Sequence, residues 1–265
     1  MKTEDIRDGV LATIASIAPE TDGQAIRSDQ PLRGQIDLDS IDWINVITGL
    51  CDRLSIDIPE SDYERLATLD SAVEYLEVRC AGDRARPARI EAAASAPLPC
   101  LQHMINGTTV IVRPMRADDA GMETDFVQRL SRESRYKRFM VTVRELPAQK
   151  LKYLTDVDQA RHVALVATTG SDGQQRIVGV VRYFLDSTGA GCEFAVAVDD
   201  AWQGSGLAGL LMHDLMDVAR ARGLTSMEGS VLATNHRMLK FTRQLGFRQE
   251  RDPDSRDTVR VVRSL

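Results

Sequence analysis

The sequence has few of the residues that would indicate a disulfide scaffold, a metal site or a membrane protein. Its 265 residues include four cysteines, none at Cys-x-x-Cys spacing, and four histidines. This pattern argues against structural zinc and against a disulfide framework. No apolar run approaches the roughly 20 residues needed to cross a bilayer, and the acidic N-terminus does not have the features of a secretory signal. We therefore expect a cytoplasmic protein with no metal and no membrane partner.

The charge of the chain is unevenly distributed. Residues 1–80 contain 17 acidic and 7 basic residues, a net charge of −10, whereas the remainder contains 22 acidic and 26 basic residues, a net charge of +4. Two interpretations stay open: the two parts dock through complementary fields, or the acidic part is simply soluble. The basic residues are scattered rather than clustered, which argues against a nucleic-acid partner.

The pattern of apolar residues divides the chain into two domains. Helical periodicity over 2–17 and 40–54, with shorter helical segments at 61–66 and after 68, predicts an all-α four-helix bundle over residues 1–80. Residues 81–107 are rich in Ala, Arg and Pro, which predicts a flexible linker. From 108 to 265, strands and helices alternate in mixed order, which predicts an α+β domain with a mixed central sheet.

The N-terminal domain contains a candidate modification site. Ser40 follows an aspartate at the start of the second helix, an Ile-Pro connector follows that helix, and Thr-Leu-Asp precedes the last helix. This frame resembles acyl carrier proteins over about residues 1–80. The resemblance implies 4′-phosphopantetheine bound covalently to Ser40 and a phosphopantetheinyl transferase as partner. The alternative is that Ser40 only caps its helix. Trp43 departs from the polar residues usual just after that serine, and is either a partner contact or a partly buried aromatic.

The C-terminal domain contains a glycine-rich turn between a strand and a helix. Gln203-Gly-Ser-Gly-Leu-Ala208 follows the apolar strand Glu193–Val198 and opens a long amphipathic helix. Backbone N–H groups at such a turn suit a pyrophosphate, and it lacks the Gly-Lys-Ser/Thr of a Walker loop. The order of elements resembles the GCN5-related N-acetyltransferase (GNAT) superfamily over residues 108–265. Residues 126–140, 193–212 and 228–247 are similar to bacterial Pat-type acetyltransferases.

The resemblance to GNAT proteins implies an acetyl-CoA or other acyl-CoA site. The residues expected to bind the coenzyme are Gln203, Gly204, Gly206, Leu207 and Ala208 for the pyrophosphate, Val196 and Val198 for the pantetheine amides, and Asn235 for the coenzyme arm.

Catalysis in such a site requires a group that takes a proton from the attacking amine. Glu193 is our first candidate and Glu228, in the neighbouring strand, is the second. Phe241 occupies the position where the wider superfamily often has a tyrosine that protonates the leaving thiolate, so the general acid stays unassigned. The charged segment 131–136 is expected either over the acceptor cleft or as a solvated helix.

Three functional interpretations remain open. The preferred one is an N-acyltransferase that moves an acyl group from acyl-CoA or an acyl carrier to an amine, coupled to its own carrier domain. The acceptor is then a small molecule, a carrier-bound aminoacyl group or a protein lysine, and an acyl- or aminoacyl-activating ligase is a further partner. The second is a Pat-like protein lysine acetyltransferase with a regulatory carrier-like domain. The third is a GNAT-like domain that loads or decarboxylates an acyl group for the carrier.

Overall fold

The N-terminal domain is a small helical bundle. The computed structural model describes residues 3–84 apart from 20, 22, 24, 37, 39, 55, 57 and 59, and residues 98–265 apart from 141–144, 171–173, 187 and 253–256; at 40, 41, 60, 61 and 81–84 it describes the backbone alone. The helices of this domain are α1 (Thr3–Ile17), α2 (Leu32–Gln35), α3 (Ser40–Leu54), a 3-10 helix (Glu60–Leu66) and α4 (Leu69–Arg84). No helix in the described part of the chain is long and apolar enough to cross a membrane.

Helices α1 and α3 run in opposite directions and approach closely. A Cβ atom added at Gly49 would lie 2.8 Å from Cγ2 of Thr13, and one at Gly9 would lie 3.6 Å from Cδ of Arg53. The interior of the bundle is aliphatic, because these helices bury their apolar stripes against one another. Its buried residues include Ile6, Val10, Ile14, Ile47, Leu50, Leu69 and Leu76.

Trp43 belongs to the interior of this bundle. Only 5% of its surface is exposed, and it packs with Val46, Ile47 and Leu50. These positions are spaced by three and four residues, so they share one face of α3. The interpretation of Trp43 as a partner contact is therefore wrong, and the residue is more deeply buried than the alternative interpretation proposed.

The C-terminal domain is built on one sheet. Its eight described strands are β1 (Leu101–Ile105), β2 (Thr108–Pro114), β3 (His162–Thr169), β4 (Arg176–Leu185), β5 (Gly191–Val198), β6 (Ser226–Leu232), β7 (Arg248–Arg251) and β8 (Thr258–Ser264). They lie in the order β1-β2-β3-β4-β5-β6-β8-β7. The β5–β6 pair is parallel and the other described pairs are antiparallel. This is the predicted mixed sheet.

Helices cover both faces of the sheet. They are α5 (Ala120–Arg129), α6 (Arg132–Phe139), α7 (Ala148–Thr155), α8 (Leu207–Ala221) and α9 (His236–Gln244), with 3-10 helices at Ala117–Asp119 and Asp200–Trp202. Successive strand residues point to opposite faces. In β3, Val163 and Leu165 accordingly cluster with α8, while Ala164 and Val166 cluster with α5 and α7. The sheet therefore separates α8 from α5 and α7.

Both ends of the segment predicted as a linker, 81–107, have regular structure. Helix α4 continues to Arg84, and β1 pairs with β2 across a two-residue turn at Asn106 and Gly107. Both turn residues have positive φ, 49° and 76°, as an Asn-Gly hairpin turn requires. That dipeptide was the sequence signal for β1, and the prediction overlooked it. Residues 85–97 of the predicted linker lie outside the described residues.

Candidate active site

Strands β5 and β6 separate part of the way along the sheet. They are in register over three residue pairs, which end at Glu193 opposite Glu228, although β5 continues to Val198 and β6 to Leu232. The five residues of β5 beyond the last pair extend over about 17 Å at the usual strand rise. The two strands thus form a fork that is narrow at the glutamate pair and open towards the end of β5.

An aromatic ring fills the point where the strands separate. The ring of Phe194 packs against Gly229, where an added Cβ would lie 2.8 Å from the ring. The same ring contacts Phe247, with 5.1 Å between the ring centroids. A side chain at position 229 would compete with Phe194 for this space, so the glycine permits the ring to occupy the base of the fork.

The two candidate bases close the narrow end of the fork. Glu193 and Glu228 are direct register partners on neighbouring strands about 4.8 Å apart, so their side chains share one face of the sheet. Glu228 accepts hydrogen bonds from Nε of Arg260 at 3.0 Å and from Nη2 of the same residue. This hydrogen bonding is the main reason that the pKa of Arg260 lies above its ordinary value. Glu228 is therefore committed to an ion pair.

The predicted pyrophosphate turn lies at the open end of the fork. Gly204 and Gly206 have φ angles of 84° and 92°, a region that side-chain-bearing residues adopt at a cost. The hydroxyl of Ser205 donates to the carbonyl of Trp202 at 2.6 Å and accepts from the N–H of Leu207 at 3.3 Å. Leu207 begins α8, whose N-terminal amides attract anions. The exposed turn and the helix end therefore fit a pyrophosphate group.

Helix α6 is attached to this turn through one carboxylate. Asp200 accepts from the N–H of Ser131 at 2.8 Å and from the hydroxyl of Ser134 at 2.8 Å. Burial acts to raise the pKa of Asp200, but these hydrogen bonds outweigh burial and leave the pKa below its ordinary value. Ser131 also caps α6. The N-terminal end of segment 131–136 therefore anchors the turn, a role that neither sequence interpretation included.

Helix α9 contributes a cation that the sequence analysis missed. Nη1 of Arg237 donates to Gln203 at 2.7 Å, and its Nη2 lies 3.6 Å from the position of a Cβ on Gly204. Asn235 caps the same helix by accepting from the N–H of Met238 at 3.2 Å. The signal that could have identified Arg237 is its position two residues after Asn235, which the resemblance assigns to the coenzyme arm.

The remaining predicted residues divide between the fork and the other domain. Val196 and Val198 lie on the part of β5 that borders the fork, and Ala208 is in the first turn of α8. The ring of Phe241 lies 4.0 Å from the position of a Cβ on Gly209 of α8 and provides no hydroxyl. Ser40 begins α3 in the helical domain, so the structure does not place it among the residues of the fork.

Comparisons with known proteins identify the class of protein to which the forked sheet belongs. Residues 126–247 match the acetyltransferase (GNAT) family model, and residues 8–76 match the phosphopantetheine attachment site model. An acetyltransferase of Pseudomonas aeruginosa is 36% identical over 165 residues, which cover 62% of this chain and 88% of that protein. The crystal structure of the GNAT domain of S. lividans PAT has a TM-score of 0.58 and 29% identity, and covers 68% of this chain and 99% of that domain.

The N-terminal domain has relatives of its own. An acyl carrier protein of Lactobacillus johnsonii is 32% identical over 75 residues, which cover 28% of this chain and 94% of that protein. The chain belongs to the acetyltransferase (GNAT) family, and its N-terminal domain is of the phosphopantetheine attachment type. The resemblances to acyl carrier proteins and to GNAT proteins are thus confirmed, and so are the two predicted fold classes.

Proposed function

We propose that this protein is an N-acyltransferase that moves an acyl group from a pantetheine thioester to an amine, in cooperation with its own carrier domain. The observation that supports this proposal is the fork between β5 and β6. It combines a carboxylate pair at its narrow end with an exposed glycine-rich turn at its open end.

The dimensions of the fork suit an acyl-CoA donor. The pyrophosphate would bind to the backbone of the turn Gln203–Ala208, and the pantetheine amides would pair with Val196 and Val198 like an added strand. This placement brings the thioester towards the narrow end, next to Glu193. The exposed Arg237 would add a positive charge beside the phosphates.

The chemistry required at the narrow end is a direct transfer. A neutral amine attacks the thioester carbonyl, so that a C–N bond forms and the C–S bond breaks. We assign the uptake of the amine proton to Glu193, since hydrogen bonds from Arg260 already occupy the carboxylate of Glu228. The departing thiolate must also gain a proton, and Phe241 has no group that supplies one.

Ser40 is the candidate attachment point of the carrier domain. It lies within the matched residues 8–76 and begins helix α3. A 4′-phosphopantetheine arm on this serine would supply a thiol that carries an acyl or aminoacyl group as a thioester. A phosphopantetheinyl transferase would attach the arm, and an activating ligase would load it.

A second candidate function is acetylation of protein lysines. The similarity of the catalytic domain to the GNAT domain of S. lividans PAT favours it. In that case the carrier domain would regulate the enzyme, and catalysis would not need Ser40.

Intact-mass analysis separates these functions. The chain is produced with a phosphopantetheinyl transferase, beside Ser40→Ala, and both are then incubated with acetyl-CoA and with free amines or lysine-containing proteins. We expect one phosphopantetheine increment that is absent from Ser40→Ala, and CoA release that depends on an amine. An increment that persists in Ser40→Ala contradicts attachment at Ser40. Equal acetylation of protein lysines by both chains supports the second function.

A further inference from the structure

A buried lysine connects the two domains. Lys150 of α7 is 2% exposed, and its ammonium donates to the hydroxyl of Tyr63 of the carrier domain at 2.8 Å. The ammonium also lies 5.5 Å from the centroid of the Tyr63 ring and 4.7 Å from that of Tyr153. A buried cation is tolerated only when such groups replace its water. The contact therefore requires a specific orientation of the carrier domain on α7.

The helix that begins at Ser40 forms the apolar part of the same interface. Ile44 is 2% exposed, and it packs with the catalytic-domain cluster that contains Phe126, Phe139 and Leu154. Ile44 is one helical turn from Ser40, about 6 Å along the axis. The end of α3 that would bear the arm is thus held close to the catalytic domain.

The carrier domain contacts the sheet face opposite α8. The cluster that includes Ile44 also contains Ala164 and Val166 of β3, whereas α8 packs on the alternate residues of that strand. Glu193 is on the carrier's side, because its register partner Phe184 stacks with Tyr153 of α7. The turn that opens α8 stays exposed at Gly204 and Gly206. An acyl-CoA molecule could therefore bind while the carrier is docked.

Arg79 of the last carrier helix interacts electrostatically with Glu193 at the narrow end of the fork. Burial acts to lower the pKa of Arg79 in α4, but interactions with Tyr75, Asp62 and Glu193 outweigh it and raise that pKa above its ordinary value. The carboxylate of Glu193 is thus within electrostatic reach of the carrier domain. This agrees with the docking through Ile44 and Lys150.

From this arrangement we propose that the carrier domain docks on the acceptor side of the site, and that the group on Ser40 is the acyl acceptor. This inference rests on the proposed function. The acceptor would be an amine at the end of the arm, as in an aminoacyl thioester. Its nitrogen attacks the carbonyl carbon of acyl-CoA; the C–N bond forms, the C–S bond to CoA breaks, and the amine proton passes through Glu193 to the CoA thiolate. If the carrier were the acyl donor, the phosphate on Ser40 would have to bind at the turn Gln203–Ala208.

The direction of transfer can be measured in the full chain. A phosphopantetheinyl transferase attaches an arm that ends in a primary amine in place of the thiol, and acetyl-CoA is then added. We expect one acetyl increment on the Ser40 peptide. In the reverse experiment an acetyl thioester is attached at Ser40 and free amines are supplied without acetyl-CoA, and we expect no transfer. Transfer in the reverse direction without acetylation of the arm overturns the proposal.

Two variants test the docking surface. Ile44→Asp should lower arm acetylation at least tenfold relative to acetylation of free amines, and Tyr63→Phe should lower it several-fold. The matched control is Val78→Asp, at a carrier position that is 60% exposed, and it should leave this ratio unchanged. Equal ratios in all three variants contradict the assigned surface.

A measurement without catalysis complements these assays. Hydrogen exchange over Ala148–Thr155 of the unmodified chain should increase in Ile44→Asp and stay constant in Val78→Asp. An unchanged rate in Ile44→Asp contradicts docking on α7. Failure of the wild type to acetylate either a free amine or the arm counts against the proposed function, whereas acetylation of free amines without acetylation of the arm counts against this inference alone.

Discussion

Glu193 and Glu228 are paired across the last registered position of β5 and β6, and they interact with different arginines. Glu228 accepts hydrogen bonds from Arg260 of the adjacent strand β8. Glu193 is within electrostatic reach of Arg79, which belongs to the other domain. We therefore expect separate tasks for these two carboxylates: Glu228 is fixed within the sheet by its ion pair, and Glu193 faces the domain that we propose to deliver the acceptor.

Replacement of each glutamate should distinguish these tasks. Glu193→Gln should lower kcat for amine acetylation by roughly 10² to 10⁴ fold, because the proton acceptor is removed. Glu228→Gln should lower kcat less than tenfold, but should reduce the melting temperature, since Arg260 loses one carboxylate partner and keeps Glu250. Steady-state assays of CoA release and thermal melts measure both effects. A larger loss of kcat in Glu228→Gln would reverse our assignment of the base.

The turn at the open end should depend on its glycines. Gly204→Ala and Gly206→Ala each place a side chain in the left-handed region, which costs about 1–2 kcal/mol, and the turn should relax away from its anion-binding shape. We expect the Kd for acetyl-CoA to rise at least tenfold by calorimetry. Gly121→Ala in α5 is the control, because its φ is not positive and nothing lies within 4 Å of the added Cβ. Unaltered affinity in Gly204→Ala and Gly206→Ala would show that the turn does not bind the coenzyme.

The attachment of α6 to the turn should depend on pH. The pKa of Asp200 is lowered in the folded protein, so the native state binds fewer protons there than the unfolded state. Its contribution to stability is therefore present above the unfolded pKa and is lost as the pH falls through the lowered folded pKa. Asp200→Asn should reduce the melting temperature at pH 7, and the difference from the wild type should shrink as the pH falls below about 4. A difference that is constant with pH would exclude this ionic contribution.

The base of the fork should be sensitive to volume. Gly229→Ala pushes a methyl group against the ring of Phe194, and such overpacking typically costs about 1–3 kcal/mol. Chemical denaturation should show this loss of unfolding free energy. The double variant with Phe194→Leu should recover part of it, because leucine lacks the rigid ring. Additive losses in the double variant would mean that the two side chains do not compete for the same space.

The charge of Arg79 should affect external acceptors. Arg79→Gln removes a cation near Glu193, and the KM of small cationic amines should fall several-fold because like charges no longer repel them. The control is Arg65→Gln, since Arg65 also packs over the ring of Tyr75. Equal KM values in Arg79→Gln and the wild type would indicate that Arg79 does not influence the acceptor.

Much of the backbone could be predicted from the spacing of apolar residues, because a period of about 3.6 residues indicates a helix and a period of two indicates a strand. The bounds predicted for α3, residues 40–54, agree with the structure, and the strand predicted at Glu193–Val198 lies within β5. The same periodicity could not assign adjacent apolar residues to partners. Trp43 and Ile44 are both buried, but Trp43 packs in the interior of the carrier domain, whereas Ile44 packs against the catalytic domain. A hydropathy pattern records that a side chain is apolar, not which surface covers it.

The candidate site was predictable where it is local in sequence. The turn Gln203–Ala208 and the strand before it could be predicted from the sequence, because their chemistry depends on adjacent residues. The contacts that distinguish the two glutamates could not, since Arg260 is 32 residues from Glu228. Lys150 was also missed, because a lysine on a helix is ordinarily solvated and only the packing of the two domains shows that it is buried.

The early end of the register between β5 and β6 has a consequence for the stability of the enzyme. Within the part of the chain that the structure describes, β5 continues beyond Glu193 without a registered partner in β6, so this edge of β5 is available to a strand-like ligand. A donor that pairs with this edge stabilises the native state and has nothing comparable to bind in the unfolded chain. At one hundred times its Kd, such a ligand adds about 2.7 kcal/mol to the free energy of unfolding. Under the proposed function, the stability of this protein would therefore rise with the supply of acyl-CoA, and its degradation would slow where that donor is abundant.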